Sequence, residues 1–142
     1  MVKLVVAHIL ALLLAPIAAT ASVLLLAQLA GRLTRWHSAT GGSEFMFSMP
    51  IGGLGWQVSS AIGRAAAAFG VARLVFWLFG VAPTAYMAAA LIILFVLWDL
   101  SRFRQATRPP LRPPTQAVQV LWMKVVAGLI ASLSAGILFI RV

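Results

Sequence analysis

The chain has four acidic or imidazole side chains that acid–base or metal chemistry could use: His8, His37, Glu44 and Asp99. General acid–base catalysis and metal binding need such groups close together. His8 and His37 are separated by 29 positions, which is about 40 Å along a helix, so one chain cannot place both on one metal ion or haem. We therefore expect no enzyme activity, no cofactor and no metal site.

Nucleophilic and phosphate-binding motifs are equally sparse. The chain contains no cysteine, which excludes disulfides, thiol catalysis and thiolate metal sites. A glycine cluster at Gly52, Gly53 and Gly55 lacks the preceding strand and the Lys-Ser/Thr pair of a nucleotide-binding loop. We interpret this cluster as a place where backbones approach closely.

The composition is that of a membrane protein. Of 142 residues, 63% are hydrophobic and 9% are charged, with 11 Lys+Arg and 2 Asp+Glu, whereas a soluble domain carries about a quarter charged residues. This excludes an ordinary soluble domain and an intrinsically disordered chain. The net charge of +9 fits basic residues that flank membrane spans and contact anionic lipid headgroups. We expect no nucleic-acid partner, because no basic stretch is interleaved with stacking aromatics.

The hydrophobic runs predict an all-α integral membrane protein with a single membrane domain, 1–142, and about four helices. Three of them are predicted to span the bilayer: 4–30, 84–100 and 117–140. A span needs about 20 apolar residues. A further helix, 59–80, carries Arg64 and Arg73 on opposite faces, which suits neither a surface helix nor a lipid-bathed span. We interpret it as interfacial or partly inserted, with a full span as the alternative.

The first hydrophobic run also resembles a secretory signal. Lys3 precedes the apolar stretch, and Ala19-Thr20-Ala21 is a candidate cleavage site. Apolar sequence continues beyond that site, so we interpret the run as an uncleaved anchor. Pro16 within it predicts a kink.

Residues 31–58 are predicted to form a loop with an apolar segment rich in Gly and Pro. Irregular backbone cannot face lipid, because its N–H and C=O groups need hydrogen-bond partners. We therefore predict that the segment docks against this chain's helices or a second copy. The docking residues would be Phe45, Phe47, Pro50, Gly52, Gly53, Gly55 and Trp56.

Residues 101–116 form a polar connector that two Pro-Pro pairs make extended and stiff. The basic residues expected at lipid headgroups are Arg102, Arg104, Arg108, Arg112 and Lys124. Three spans with the amino terminus inside distribute the basic residues almost evenly across the membrane. Four spans with both termini outside place the connector inside, as the positive-inside rule prefers. We expect the cytoplasmic (inner) membrane of a bacterium.

Asp99 has a basic residue three positions later, Arg102, which suits an ion pair on one helix. We interpret the pair as a neutralised helix exit at the membrane surface. Small drug/proton exchangers are similar in size but need a carboxylate embedded in the membrane, and we expect none within the spans. The sequence therefore disfavours a proton-coupled transporter.

Small residues recur every four positions in two predicted spans. The rows are Ala7, Ala11, Ala15 and Ala19 in the first span, and Gly128, Ser132 and Gly136 in the last. Such rows let helices approach closely. They can pack the chain's own helices, but so small a bundle has little interior. We therefore interpret them as helix-packing surfaces for other chains.

These features favour a non-enzymatic structural or accessory subunit of a membrane assembly of the secretion, conjugation or respiratory type. Its partners would be the bilayer and other membrane subunits or copies of itself. The alternative is a small homo-oligomeric pore or holin-like channel, although neither the first nor the last span has a continuous polar stripe. A further alternative is a conjugative-pilus-type subunit, whose signal-like start and two apolar helices joined by a basic loop the chain loosely resembles. The connector is longer than in that pattern, and residues 31–79 have no place in it.

Overall fold

The computed structural model describes residues 1–39, 54–106 and 115–141, with the side chains of 1–29, 31–32, 58–105 and 122–141. These residues form four helices: α1 Val2–Ala39, α2 Leu54–Leu78, α3 Ala85–Ala106 and α4 Thr115–Arg141. Each contains a stretch long and apolar enough to cross a membrane: Val2–Leu29, Val58–Leu78, Ala85–Gln105 and Trp122–Arg141. The predicted all-helical fold is confirmed, and the four candidate spans suggest a membrane protein.

The helices extend further than the hydropathy pattern predicts. The first continues to Ala39 and the second begins at Leu54, so the predicted loop 31–58 is helical at both ends. The third helix continues to Ala106, into the predicted connector. Hydropathy marks where apolar residues stop, whereas backbone hydrogen bonds continue through polar residues of good helix propensity. α1 also continues through Pro16.

The second helix lies at the centre of the arrangement. It packs against α1 and against α4, while α3 packs mainly against α4. Its length and hydropathy also make it a candidate span, like the other three helices.

Side-chain contacts define how the helices run. The ring of His8 in α1 contacts Phe76 near the end of α2, and Leu26 later in α1 lies against Gly63 early in α2, so these two helices are antiparallel. Phe76 late in α2 contacts Phe139 late in α4, and Arg64 early in α2 lies beside Gly128 in the first half of α4, so these two helices are parallel. Gly128 also lies beside Asp99 late in α3, and Gly136 lies beside Ile92 earlier in α3, so α4 is antiparallel to α3. One end of the bundle, the termini end, therefore holds the start of α1, the α2–α3 turn and the end of α4. The opposite end is called the connector end.

The turn between α2 and α3 is fixed by hydrogen bonds at both helix ends. Gly80 has a φ of 63°, which glycine adopts without the steric cost of a Cβ. Its N–H donates to the Trp77 carbonyl and the Val81 N–H donates to that of Phe76, which is the Schellman pattern of a helix end. Thr84 then caps α3, because its hydroxyl oxygen accepts the Met87 N–H at 3.3 Å.

The contact between α1 and α2 depends on small side chains. Ala7, Ala11, Ala15 and Ala19 are all buried in the hydrophobic core. Alanines at this spacing form one face of a helix and let the backbone of α1 approach α2 closely. Ala68 and Ala72 of α2 belong to the same buried cluster.

Replacing Ala11 with leucine should separate α1 from α2. Overpacking a filled interior costs about 1–3 kcal/mol, and the isobutyl side chain that replaces the methyl group has no space at a fully buried position. Thermal unfolding in detergent measures the loss. Ala21→Leu, at an exposed position of the same helix, is the matched control. Equal melting temperatures for the two variants would contradict the packing role of this row.

Candidate functional site

The bundle contains a buried ion pair between α2 and α3. The Arg64 guanidinium donates from Nη1 to Asp99 Oδ1 at 2.7 Å and from Nη2 to Oδ2 at 2.6 Å. Only 11% of the Arg64 side chain and 2% of the Asp99 side chain are exposed. Two parallel bonds between a guanidinium and a carboxylate fix orientation as well as charge.

The surroundings of the pair make the two charges depend on each other. The Arg64 guanidinium carbon lies 5.3 Å from the centre of the Phe95 ring, which adds a cation–π contact. Arginine does not lose its proton in proteins, so a buried Arg64 needs the ionised Asp99 carboxylate as its counter-charge. Among the described residues, the buried Nε of Arg64 has no hydrogen-bond partner.

Glycine in α4 makes room for this pair. A Cβ added at Gly128 would collide with Asp99 Oδ2 and would lie 3.0 Å from Arg64 Nη2. A Cβ at Gly136 would lie 2.9 Å from Ile92 Cδ1 of α3, and Ser132 between them is buried. The predicted small-residue row therefore packs α4 against helices of the same chain.

A second cation lies near the carboxylate. Lys124 is one helical turn before Gly128 and is half-buried. It interacts electrostatically with Asp99, Arg64 and Arg102. Positive charge therefore exceeds negative charge in this part of the described structure.

The prediction for Asp99 is wrong in its partner, which is Arg64 and not Arg102. α3 continues past Asp99 to Ala106, so Asp99 is not at a helix exit, and its carboxylate is buried within the candidate span Ala85–Gln105. Arg102 instead lies over the Trp98 ring at 5.5 Å. The candidate span as the structure bounds it therefore contains a carboxylate that the other helices bury.

A second polar contact joins α1 to the α2–α3 turn. His8 Nδ1 lies 2.7 Å from the Leu4 carbonyl oxygen, and Nε2 lies 2.7 Å from Thr84 Oγ1. A carbonyl only accepts, so Nδ1 carries the hydrogen, and in the neutral ring Nε2 accepts from the Thr84 hydroxyl. Thr84 thus donates to His8 while it accepts the Met87 N–H. His8 therefore joins the start of α1 to the α2–α3 turn.

The other arginine of α2 holds the end of α4. Arg73 Nη1 donates to the Phe139 carbonyl at 3.1 Å. Carbonyls in the last turn of a helix have no partner within that helix, and a cation there also interacts favourably with the helix dipole. The two arginines on opposite faces of α2 thus serve different neighbours, Arg64 binding α3 and Arg73 binding α4.

The remaining predicted site residues fall into three groups. The Ala7–Ala19 row and the Gly128–Gly136 row lie between helices of this chain, so an intramolecular interpretation replaces the intersubunit one. The headgroup candidates Arg102 and Arg104 are exposed. The predicted residues outside the described ranges are Arg108, Arg112, Phe45, Phe47, Pro50, Gly52 and Gly53, while Gly55 and Trp56 lie in the first turn of α2.

Comparison of the chain with known protein families, with curated proteins and with solved structures finds no match. The described residues contain no group of three or more His, Cys, Asp or Glu side chains that could hold a metal ion. The fold and these polar contacts define the class: an all-helical protein with four candidate membrane spans, cross-linked by polar side chains between its own helices.

Removing one charge of the ion pair should destabilise the fold strongly. In Asp99→Asn, Arg64 becomes a buried cation without its counter-charge, which costs about 3–5 kcal/mol. The double variant Arg64→Met/Asp99→Leu removes both charges and should recover most of that loss. Thermal unfolding in detergent measures both, with the exposed Arg102→Met as control. A double variant as unstable as Asp99→Asn would show that the cost does not come from the unpaired charge.

Gly128→Ala should be costly because its methyl group would occupy space taken by the Asp99 carboxylate. Gly70→Ala is the matched control, since a Cβ there meets nothing within 4 Å. The control should be neutral or stabilising by up to about 1 kcal/mol. In the background Arg64→Ala/Asp99→Ala the penalty at position 128 should disappear, because the colliding atoms are absent. If Gly128→Ala still lowers the stability in this background, the collision with the Asp99 carboxylate is not its cause.

Proposed function

We propose that the chain is an integral membrane protein with four spans and that it acts as a non-enzymatic structural or accessory subunit of a membrane assembly. The observation that supports the proposal is that ionisable side chains are bonded inside the bundle, whereas large apolar side chains cover its outside. The ionisable side chains His8, Arg64, Arg73 and Asp99 bind other parts of the same chain. The outside is covered instead by large apolar side chains.

The apolar exterior surrounds all four helices. Exposed examples are Ile17 and Leu25 in α1, Trp77 in α2, Ile93 in α3 and Ile137 in α4. Soluble monomers rarely expose contiguous apolar patches beyond a few hundred Å². Lipid tails and the helices of neighbouring subunits are surroundings in which such an exterior is stable.

Charge supports one orientation of the bundle. Arg32, Arg102 and Arg104 are exposed near the connector end, and Arg108 and Arg112 lie in the sequence that joins α3 to α4. We place that end in the cytoplasm and both termini outside, as the positive-inside rule favours. The proposed location is the inner membrane of a bacterium.

The arrangement of the helices favours a subunit over a pore within one chain. The described polar interior, with Ser60, Asp99 and Ser132, is next to an apolar interior formed by Phe76, Met87 and Leu91. A continuous polar path is therefore absent from the described interior. The first helix packs mainly against α2, and its opposite side is free for lipid or another subunit.

Native mass spectrometry of the protein extracted from its own membrane tests the subunit role. Different membrane polypeptides bound at fixed stoichiometry would support it, as would a defined small oligomer of this chain that conducts no ions. A closed ring of copies that conducts ions in a planar bilayer would replace it with the pore. A monomer under conditions that preserve known membrane complexes would contradict both.

Cysteine labelling tests the proposed topology, and the absence of native cysteine keeps the background low. Arg32→Cys and Gln105→Cys are at the connector end, Ala82→Cys is in the α2–α3 turn, and all three positions are exposed. With four spans, a membrane-impermeant maleimide added to intact cells should label position 82 and neither position 32 nor position 105. Labelling of positions 32 and 82 would show that α2 does not span, and labelling of positions 32 and 105 without position 82 would show the opposite orientation.

A further inference from the structure

The two outer helices of the bundle can be compared at one common height. α1 packs mainly against α2, and α3 packs mainly against α4, so each of these two helices exposes a broad side. Leu26 of α1 lies against Gly63 of α2. The next residue of α2 is Arg64, which binds Asp99 of α3. Leu26 and Asp99 therefore mark the same height in the bundle, which we call the reference height.

Exposed charge begins far beyond this height on α1. The first charged residue after Leu26 is Arg32, and its side chain is exposed. It is six positions closer to the connector end, or about 9 Å at the helical rise. The exterior of α1 is uncharged over that distance.

On α3 the first exposed charge lies at the reference height itself. Arg102 is one turn beyond Trp98, and its guanidinium carbon lies 5.5 Å from the centre of the Trp98 ring. Helical side chains lean toward the helix N-terminus, which for α3 is at the termini end. The charge therefore lies back along the helix, beside an exposed tryptophan. At the connector end, the uncharged exterior of α3 is shorter than that of α1 by about 9 Å.

Exposed aromatic side chains support the same difference. Tyr86 and Trp98 are exposed on α3, and such residues are typical of the two surfaces of a bilayer. They are 12 positions apart, or about 18 Å, whereas a hydrocarbon core is about 30 Å thick. A flat boundary at Trp98 would leave Trp122 and Met123, exposed apolar residues of α4 on the connector side of Gly128, outside the core. A flat slab therefore does not fit both α3 and its neighbour.

We propose that the bilayer is thinner along α3 than along α1, with the headgroups of the connector-end leaflet drawn inward to Trp98 and Arg102. A bilayer adapts to a short apolar surface by thinning locally, at modest cost. The α3 side is thus a surface for a thinned bilayer, beside the Arg64–Asp99 pair. The inference rests on the membrane placement proposed above and adds a deformation of the bilayer to it.

Spin labels at four single cysteines test the thinning in vesicles of dioleoyl phosphatidylcholine. Leu24→Cys and Leu97→Cys are each two positions before the reference height, on α1 and α3. Ile9→Cys and Ala85→Cys are the matched pair at the termini end, next to His8 and Thr84, which are in contact. All four positions are exposed, and the chain has no native cysteine.

Accessibility of each label to oxygen and to a water-soluble nickel complex gives its depth below the nearer headgroups. The label at position 97 should lie at least about 5 Å closer to the headgroups than the label at position 24, which is about half of the difference between the two exteriors, because tilt absorbs part of a mismatch. Labels 9 and 85 should have equal depths. A tilted bundle in a flat bilayer would instead make label 85 deeper than label 9, by as much as label 97 is shallower than label 24.

A charge variant tests the cause. Arg102→Leu should move label 97 deeper, toward the depth of label 24, whereas Arg32→Leu, the matched variant on α1, should leave it in place. The proposal is overturned by equal depths at 24 and 97, by the pattern of a tilted bundle, by an unchanged label 97 in Arg102→Leu, or by a label 97 that neither reagent reaches because a second copy covers α3. If the nickel complex reaches all four labels freely, the membrane placement itself is wrong, and this result is distinct from the others.

Discussion

The structure depends on one constraint: a polar group buried among apolar helices must find its partner within the protein, because the apolar side chains around it offer none. The Arg64–Asp99 pair obeys it most fully, since each side chain removes the cost of burying the other. The α4 backbone packs directly against the pair, and only a residue without a Cβ at position 128 allows this approach. The ion pair, the glycine at position 128 and the short distance between α4 and its neighbours therefore depend on one another.

The same constraint explains the central position of α2. It carries two arginines that would be costly against lipid, and its neighbours supply an acceptor for each: a carboxylate from α3 and a backbone carbonyl from the last turn of α4. The first helix carries one polar side chain near its start, His8, and meets the α2–α3 turn with it. The remainder of its contact with α2 uses alanines, for which close approach is sufficient.

Local features were predictable from the sequence, and long-range partners were not. Gly80 and Thr84 indicate the α2–α3 turn, because glycine is preferred just after a helix and threonine just before one. The four-residue period of the alanines indicates the packed face of α1. The sequence offered Arg102 as the partner of Asp99 because it is three positions away. The true partner is 35 positions away, and only the packing of three helices brings it near. The acid count showed that Asp99 had few rivals as the partner of a buried arginine, which was the available clue.

The distance along the chain between Arg64 and Asp99 has a consequence for biogenesis. The ribosome makes α2, the least apolar of the four candidate spans, before the carboxylate that neutralises its arginine exists. An arginine within a span opposes partition into lipid. With the membrane placement proposed above, we therefore expect α2 and α3 to enter the membrane together as a hairpin, so that Arg64 meets Asp99 as the two helices insert.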